Sequence, residues 1–389
     1  MYIRRTIEKF LEIALKQFPA CLITGPRQAG KSTLLKNCLP KYRYISLDDP
    51  LTANLAKNDP KLFLSTYSAP IIIDEVQYAP ELLRYLKILI DNNRHNYGQY
   101  VLTGSQIFSL MDGVTESLAG RIAIFNLYPL NWEEIKPILT SSIYNDRFLA
   151  GQLVKGFYPE FFRNPELDKQ LWFGSYFATY IERDVRNVKA ITDISRFQTF
   201  IGLLSTRVGQ LLNLSEIAKE CSITQPTAKN WLSILESTYL IYLLKPYHNN
   251  LSKRLIKSPK LYFVDTGLLC YIMGITDEEQ LLRSPQRGSI FENMIVMECK
   301  KQLCLKKSSS KLYFYRSTNR VEVDLIIKDG NDLEAFEIKF AKTLSKDMTK
   351  SLSIFKKDHP KSSTKIISLN EENIPITKDI EAVHWSNLF

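Results

Sequence analysis

Residues 22–33 read Leu-Ile-Thr-Gly-Pro-Arg-Gln-Ala-Gly-Lys-Ser-Thr. Gly25 and Gly30 bracket four residues, and Lys31-Ser32 follow at once, giving the spacing G-x-x-x-x-G-K-[ST]. The apolar run Ala20-Cys21-Leu22-Ile23 before it predicts a buried strand, and residues 32–37 after it predict a helix whose N-terminus faces an anion. Between them, the loop Gly25, Pro26, Arg27, Gln28, Ala29 and Gly30 wraps a phosphate chain with its backbone N–H groups. Lys31 reaches the β/γ-phosphates, the Ser32 hydroxyl ligates Mg²⁺, and Thr33 completes the binding set. A side chain at either glycine would block backbone from phosphate or forbid the required φ/ψ. The position between strand and helix favours a nucleotide loop over a simple glycine-rich turn.

Working outward, Pro70-Ile71-Ile72-Ile73-Asp74-Glu75 is a continuous apolar run ending in two acids. Such a run suits a strand buried on both faces of a parallel sheet. Its carboxyl end is where ligands of open α/β sheets sit. Asp74 is expected to hold Mg²⁺ through water, and Glu75 to orient or deprotonate the attacking water. Residues 42–47 form a second strand candidate, ended by Asp48-Asp49-Pro50, a turn and helix cap rather than a pair of metal ligands. Ile7, Phe10, Leu11, Ala14 and Leu15 predict a helix over 5–17, and Leu82, Leu86 and Leu89 predict another. Tyr100-Val101-Leu102-Thr103-Gly104-Ser105 is a short buried strand ending in hydroxyls, where Thr103 or Ser105 either senses the γ-phosphate or is simply a turn residue. Arg121 opens the strand 122–127, where it either completes a neighbouring subunit's site as an arginine finger or makes a surface ion pair.

The loop, Ile-Ile-Ile-Asp-Glu-Val-Gln, Leu-Thr-Gly-Ser and Leu-Ala-Gly-Arg together resemble the AAA+ ATPases. More narrowly, they resemble a group of prokaryotic AAA+ proteins with a winged helix and a restriction-endonuclease-like domain C-terminal to the ATPase. The resemblance covers nearly the whole chain and implies ATP and Mg²⁺ as cofactors. It also implies a strand inserted between the loop strand and the Asp-Glu strand, which residues 42–47 supply.

The 389 residues allow two or three domains. A net charge of +10 points to an anionic partner, DNA foremost, with a basic solubility surface as the plainer alternative. The six cysteines form no C-x-x-C pair and have no histidine at zinc-ligand spacing, as expected of reduced thiols in a cytosol without structural zinc. No apolar stretch approaches the roughly 20 residues of a membrane helix, and the N-terminus is not a signal peptide. The expectation is a cytoplasmic protein with no membrane partner.

Residues 131–195 lack strand runs and are expected to form a helical lid or linker, with the charged segment Glu182-Arg183-Asp184 read as a local ion-pair network. Residues 214–220 predict a short helix with Ser215 as N-cap, and Cys221-Ser222-Ile223 a turn. A second helix over 224–237 has Ala228, Trp231, Leu232 and Leu235 inward, and a strand follows at 240–244. That order is a winged helix-turn-helix, assigned to 196–260. Its outward Gln225, Thr227, Lys229 and Asn230 are offered to DNA, with Lys253, Arg254, Lys257 and Lys260 to grip the backbone. Packing against protein is the alternative.

Residues 261–389 carry a further pattern. Glu292 opens an apolar helix, Glu322 and Asp324 share one face of the strand 321–327, and Glu337 and Lys339 share one face of the strand 333–340. Paired acids can bind Mg²⁺, and a nearby lysine can activate water. The set resembles the PD-(D/E)XK nucleases, which implies metal ligands Glu292, Asp324 and Glu337 with Lys339 catalytic; the proline of that motif is absent, since Val323 precedes Asp324. The expected architecture is therefore α/β: a P-loop core over 1–130 with a parallel sheet, a helical lid, a winged helix and an α/β nuclease-like domain. The expected function is Mg²⁺-dependent ATP hydrolysis coupled to DNA binding, with DNA cleavage left open. The alternative is a nucleotide-switched protein-interaction or sensor module on a vestigial nuclease fold.

Overall fold

Alternating apolar strands and capped helices build the N-terminal sheet. The computed structural model describes residues 2–104, 117–139, 144–180, 191, 193–248, 258–305, 310–317, 319 and 321–388. Ser105, the run 182–184 and the basic residues Lys253, Arg254 and Lys257 lie outside the described residues. The chain divides into two compact units. The first comprises Met1–Leu130, Tyr158–Arg163 and Ser237–Tyr239; the second comprises Asn131–Phe157, Asn164–Glu236 and Leu240–Phe389.

In the first unit, β1 (Ala20–Thr24), β2 (Arg43–Ser46), β3 (Ile71–Asp74), β4 (Tyr100–Gly104) and β5 (Ile122–Asn126) form a parallel sheet in the order β2-β3-β4-β1-β5. Every residue of β1 and β3 is buried, which is why their sequences are apolar runs rather than alternations. Leu22, Ile71, Ile73, Leu86 and Leu102 share one core cluster, and each side chain buried in full contributes about 1.5–3 kcal/mol. The helices Pro50–Asn58 and Pro60–Thr66 each start with proline in the first turn behind an aspartate cap. Asp49 accepts from Thr52 N–H at 3.0 Å and Asp59 from Leu62 N–H at 2.9 Å, so the Asp48-Asp49-Pro50 stretch is a cap.

One expectation is corrected here. The strand between the loop strand β1 and the Asp-Glu strand β3 is β4, while β2 lies at the sheet edge beyond β3. Sequence order shows that 43–46 lies between the two motifs in the chain, but not where it enters the sheet.

In the second unit a six-stranded sheet has the order β12-β13-β11-β10-β9-β8. Its strands are β8 (Lys311–Arg316), β9 (Glu322–Asp329), β10 (Asp332–Ile338), β11 (Ser363–Ser368), β12 (Ile374–Pro375) and β13 (Glu381–His384). β8, β9 and β10 are antiparallel, whereas β10, β11 and β13 run parallel. The helix Lys350–Asp358 buries Leu352 and Phe355 on this sheet. A separate two-stranded ribbon joins β6 (Ile241–Leu244) to β7 (Lys260–Phe263). Ahead of it stand the helices Leu214–Glu220 and Gln225–Ser237. Their cap differs from expectation: Asn213, not Ser215, accepts the Glu216 N–H, because only the residue before the first helical turn can bend back to it.

Residues 131–157 and 164–195, within the stretch expected as a lid or linker, fall in the second unit. The helix Asp146–Lys155 turns Leu149 and Leu153 inward and packs on the helices Thr266–Ile272 and Glu278–Arg283. Gly156 and Gly267 meet backbone to backbone: a Cβ on Gly267 would lie 2.8 Å from the Gly156 nitrogen. The buried Asp265 then accepts from Phe157 N–H at 2.7 Å and Leu268 N–H at 3.0 Å. Only 158–163 of that region belongs to the first unit. Among the described residues, no helix is long and apolar enough to cross a membrane.

Candidate functional site

The phosphate-loop geometry follows from residues that only glycine can replace. Gly25 has φ 144°, and a Cβ there would lie 2.0 Å from the Leu127 carbonyl oxygen, so the obstacle is the neighbouring chain. Gly30 has φ 93° and opens the helix Lys31–Cys38 with no side-chain cap, leaving an uncapped helix N-terminus of the kind that binds anions. The buried Lys31 folds its ammonium over the loop and donates to the carbonyls of Gly25 and Pro26, each at 2.9 Å. Ala29 is buried, and its carbonyl is held at 2.8 Å by Arg5, whose second nitrogen donates to the Tyr128 carbonyl at 2.7 Å. Arg5 thus ties the loop to the segment after β5. A cavity of about 100 Å³ beside the loop is lined by Tyr2, Ile3, Gln28, Gly30, Thr33 and Pro159, among others.

Three hydroxyls converge on Asp74 at the end of β3. Ser32 Oγ donates to Asp74 Oδ2 at 2.8 Å, Tyr44 OH donates to the same oxygen, and Thr103 Oγ1 donates to Oδ1. They meet because β2, β3 and β4 are adjacent and parallel and so present their carboxyl ends together. Asp74 itself is 3% exposed. Burial and then the Asp74 carboxylate push the Tyr44 phenol above its ordinary range, so it stays a donor. The Lys36 ammonium sits 4.0 Å from the centre of the Tyr44 ring and helps fix it. Glu75 adopts φ 59° and ψ 47°, an uncommon left-handed conformation for a side-chain-bearing residue. Its N–H donates to Thr103 Oγ1 at 3.0 Å, and its carboxylate accepts from Gln77 Nε2. Thr103 therefore serves both acids, one through its hydrogen and one through its lone pair.

Thr103→Val keeps the shape but removes both bonds in a fully buried position. It should cost about 1–3 kcal/mol of stability, because the Glu75 N–H loses its acceptor. Thermal melting and steady-state turnover check this, and wild-type values in both would remove Thr103 from the site.

The remaining expected residues are distributed as follows. Ser32 and Asp74 supply a hydroxyl and a carboxylate to one point, a hard-oxygen pair that fits Mg²⁺, which keeps several of its own waters. Arg121 is engaged locally: Nε donates to Asp91 Oδ1 at 2.6 Å and Nη2 to Oδ2 at 3.0 Å. That is the ion-pair alternative, and the guanidinium holds the Asp91 carboxyl below its usual range. Tyr44 and Arg5 were not foreseen. Tyr44 had a usable signal, since it alternates with Ser46 on one face of β2, but its neighbour across the sheet was unknown.

The second unit gathers the acids expected of a nuclease. Asp324 on β9 lies beside Glu337 on β10 through the pairing Leu325↔Phe336, and Asp324 Oδ2 accepts from Ile338 N–H at 2.9 Å. Lys339 bridges them, at 3.3 Å from Asp324 and 2.5 Å from Glu337. Glu292, on the helix Arg287–Leu305, faces the same cluster. Burial and the Asp324 charge push the Glu337 carboxyl up to about 8, against the pull of Lys339. Burial likewise raises Glu292, while Asp324 is held low against burial by Lys260, then Lys339.

Lys260 departs from its expected place at the surface. A grip on the DNA backbone requires an exposed ammonium, yet its side chain is 2% exposed. Its Nζ lies 2.7 Å from Glu322, 3.2 Å from Glu292 and 3.7 Å from Asp324. Glu292, Asp324 and Glu337 do not fit a shared divalent ion in this arrangement, because ammonium groups already lie among them. Among the described residues, no group of acids, histidines and cysteines is arranged to hold a metal. The signal for Lys260 was available: it alternates with Tyr262 in the apolar strand Lys260–Phe263, and Tyr262 OH donates to Glu292 at 2.6 Å.

A family model described as an AAA domain matches residues 17–136. Two models described as domains of unknown function match residues 147–279 and 287–388. Uncharacterized proteins of Mycobacterium tuberculosis (Rv2008c) and Mycobacterium bovis (Mb2031c) are each 30% identical over 383 residues, covering 98% of this chain and 83% of theirs. A solved Walker-type ATPase of Pyrococcus abyssi is 17% identical, with a TM-score of 0.46 over 70% of this chain and 96% of that one.

Proposed function

The chain belongs to the same family as the Mycobacterium tuberculosis protein Rv2008c and carries an AAA domain, and we propose that it hydrolyses ATP and couples the cycle to DNA binding. The observation that carries this reading is Asp74, fixed by Ser32, Tyr44 and Thr103 beside Glu75 and the Gly25–Gly30 loop. In this reading the loop N–H groups and Lys31 receive the phosphates. Mg²⁺ would be held by Ser32 and Asp74 and would neutralise charge developing on the phosphate oxygens. Glu75 takes a proton from water as the water oxygen bonds to the γ-phosphorus. The bond from that phosphorus to the bridging oxygen breaks, leaving ADP and phosphate. Arg5 holds the loop in place through Ala29. Arg121 would serve a second copy only on release from Asp91.

The DNA half of the proposal rests on charge and on a helix face. The chain carries +10, and Gln225, Lys229 and Asn230 are exposed on the second of two helices joined by a tight turn. Ala228, Trp231, Leu232 and Leu235 are buried behind them. With the ribbon β6–β7 this supports a winged helix-turn-helix. The sheet β8–β11 flanked by the helices Arg287–Leu305 and Lys350–Asp358 supports a restriction-endonuclease-like fold used as a platform.

Phosphate release that is absent in Lys31→Ala tests the ATPase reading. The DNA reading is tested by a duplex titration between 50 and 200 mM salt. Four or so phosphate contacts predict roughly a 100-fold loss of affinity across that range, and Lys229→Ala should lower the slope by about one. Affinity that ignores salt would remove phosphate contact from the account.

A further inference from the structure

The acid cluster of the second unit has its own resident cations. We propose that Lys260 takes the place of a divalent ion there, making the cluster a lysine-locked joint between the ribbon β6–β7, the helix Arg287–Leu305 and the strand β9. Three carboxylates from two different elements, Glu292, Glu322 and Asp324, surround one ammonium that solvent barely reaches. The second oxygens of Glu322 and Asp324 are also engaged. Arg316 holds Glu322 Oε2 at 3.1 Å, and Lys339 holds Asp324 Oδ2 at 3.3 Å. The ribbon is fastened on the same side by Asn293, which accepts from Phe263 N–H at 2.7 Å and donates to its carbonyl at 2.8 Å.

The physics favours lysine over metal in this geometry. A divalent ion needs carboxylate oxygens at about 2.0–2.6 Å and would have to displace an ammonium at the same point. Moving that ammonium to water would leave Glu292, Glu322 and Asp324 without their buried counter-charge. Removing a cation from a buried pair leaves charges uncompensated, so the joint is sensitive to loss of either partner. The inference does not depend on the ATPase reading, because it concerns charge balance in the other unit.

The test uses the full chain without nucleotide and Mn²⁺ alone as the probe, followed by electron paramagnetic resonance and thermal melting. Wild type and Asp324→Asn should give the same Mn²⁺ isotherm. Lys260→Met, of similar length without charge, should melt roughly 10 °C lower. It should also gain a Mn²⁺ site that recovers part of that drop and disappears in Lys260→Met combined with Asp324→Asn. A Mn²⁺ site in the wild type that Asp324→Asn abolishes would overturn the proposal. If Lys260→Met does not fold, the comparison of wild type with Asp324→Asn decides alone.

Discussion

Glu75→Gln should bind ATP as tightly as the wild type and hydrolyse it at least a hundredfold more slowly. A positioned general base contributes about 10²–10⁴ in rate, and glutamine keeps the size and hydrogen bonds of glutamate but cannot accept the proton. The surroundings favour a clean separation of binding from turnover. The Glu75 backbone is fixed independently of its carboxylate, by its N–H on Thr103 and by the left-handed turn that starts Val76–Tyr78. Asp74 keeps its three hydroxyl donors, so the neighbouring acid does not move. Equilibrium binding of a fluorescent ATP analogue, with phosphate release measured on the same preparation, separates the two effects. Hydrolysis at the wild-type rate would remove Glu75 from the mechanism.

Lys31→Ala should lose ATP affinity by about 30- to 100-fold or more while the fold survives. A charge-assisted hydrogen bond to a phosphate is worth about twice a neutral one, and this ammonium acts in a partly desolvated loop. The structural cost is smaller. Lys31 donates to the carbonyls of Gly25 and Pro26 in its own loop, and both are accepting groups that water can reach once the side chain is shortened. Calorimetric titration with ATP and a melting curve read the two quantities separately. Retained affinity would mean that the loop amides alone hold the phosphates. A collapsed melting curve would mean that Lys31 is chiefly a structural clasp.

How much of this was legible in the sequence depends on the kind of contact. The loop 25–33 and the acids 74–75 lie within short windows, where residue spacing alone specifies strand, turn and helix. Their environments emerged as expected from apolar runs. The inward face of the second helix, Ala228, Trp231, Leu232 and Leu235, is equally local, since helical period alone assigns it. What was hidden depends on partners far away in the chain. Tyr44 reaches Asp74 only because β2 lies beside β3, and strand order is not contained in either strand's sequence. Arg5 holds the Tyr128 carbonyl across 123 residues. The helix 146–155 is legible locally, whereas the helices it packs against begin more than a hundred residues later. Lys260 is the clearest case. As a letter it is a cation near other cations, and only the fold shows that it points in among three acids, Glu292, Glu322 and Asp324, rather than toward solvent.

The two units therefore rest on different electrostatics. In the first, a buried carboxylate is matched by neutral hydroxyls, which orient it and leave its charge available. In the second, carboxylates are matched by lysines and an arginine, which use their charge up. That contrast is the physical ground for reading hydrolytic chemistry into Asp74-Glu75 and a joint into Glu292, Glu322 and Asp324.

The most direct measurement is phosphate release from Mg²⁺-ATP by the full chain, with and without duplex DNA. Steady turnover that DNA raises severalfold, and that Lys31→Ala and Glu75→Gln both abolish, is the predicted result. Turnover that persists in both variants, or no hydrolysis by the wild type in the presence of DNA, would contradict it.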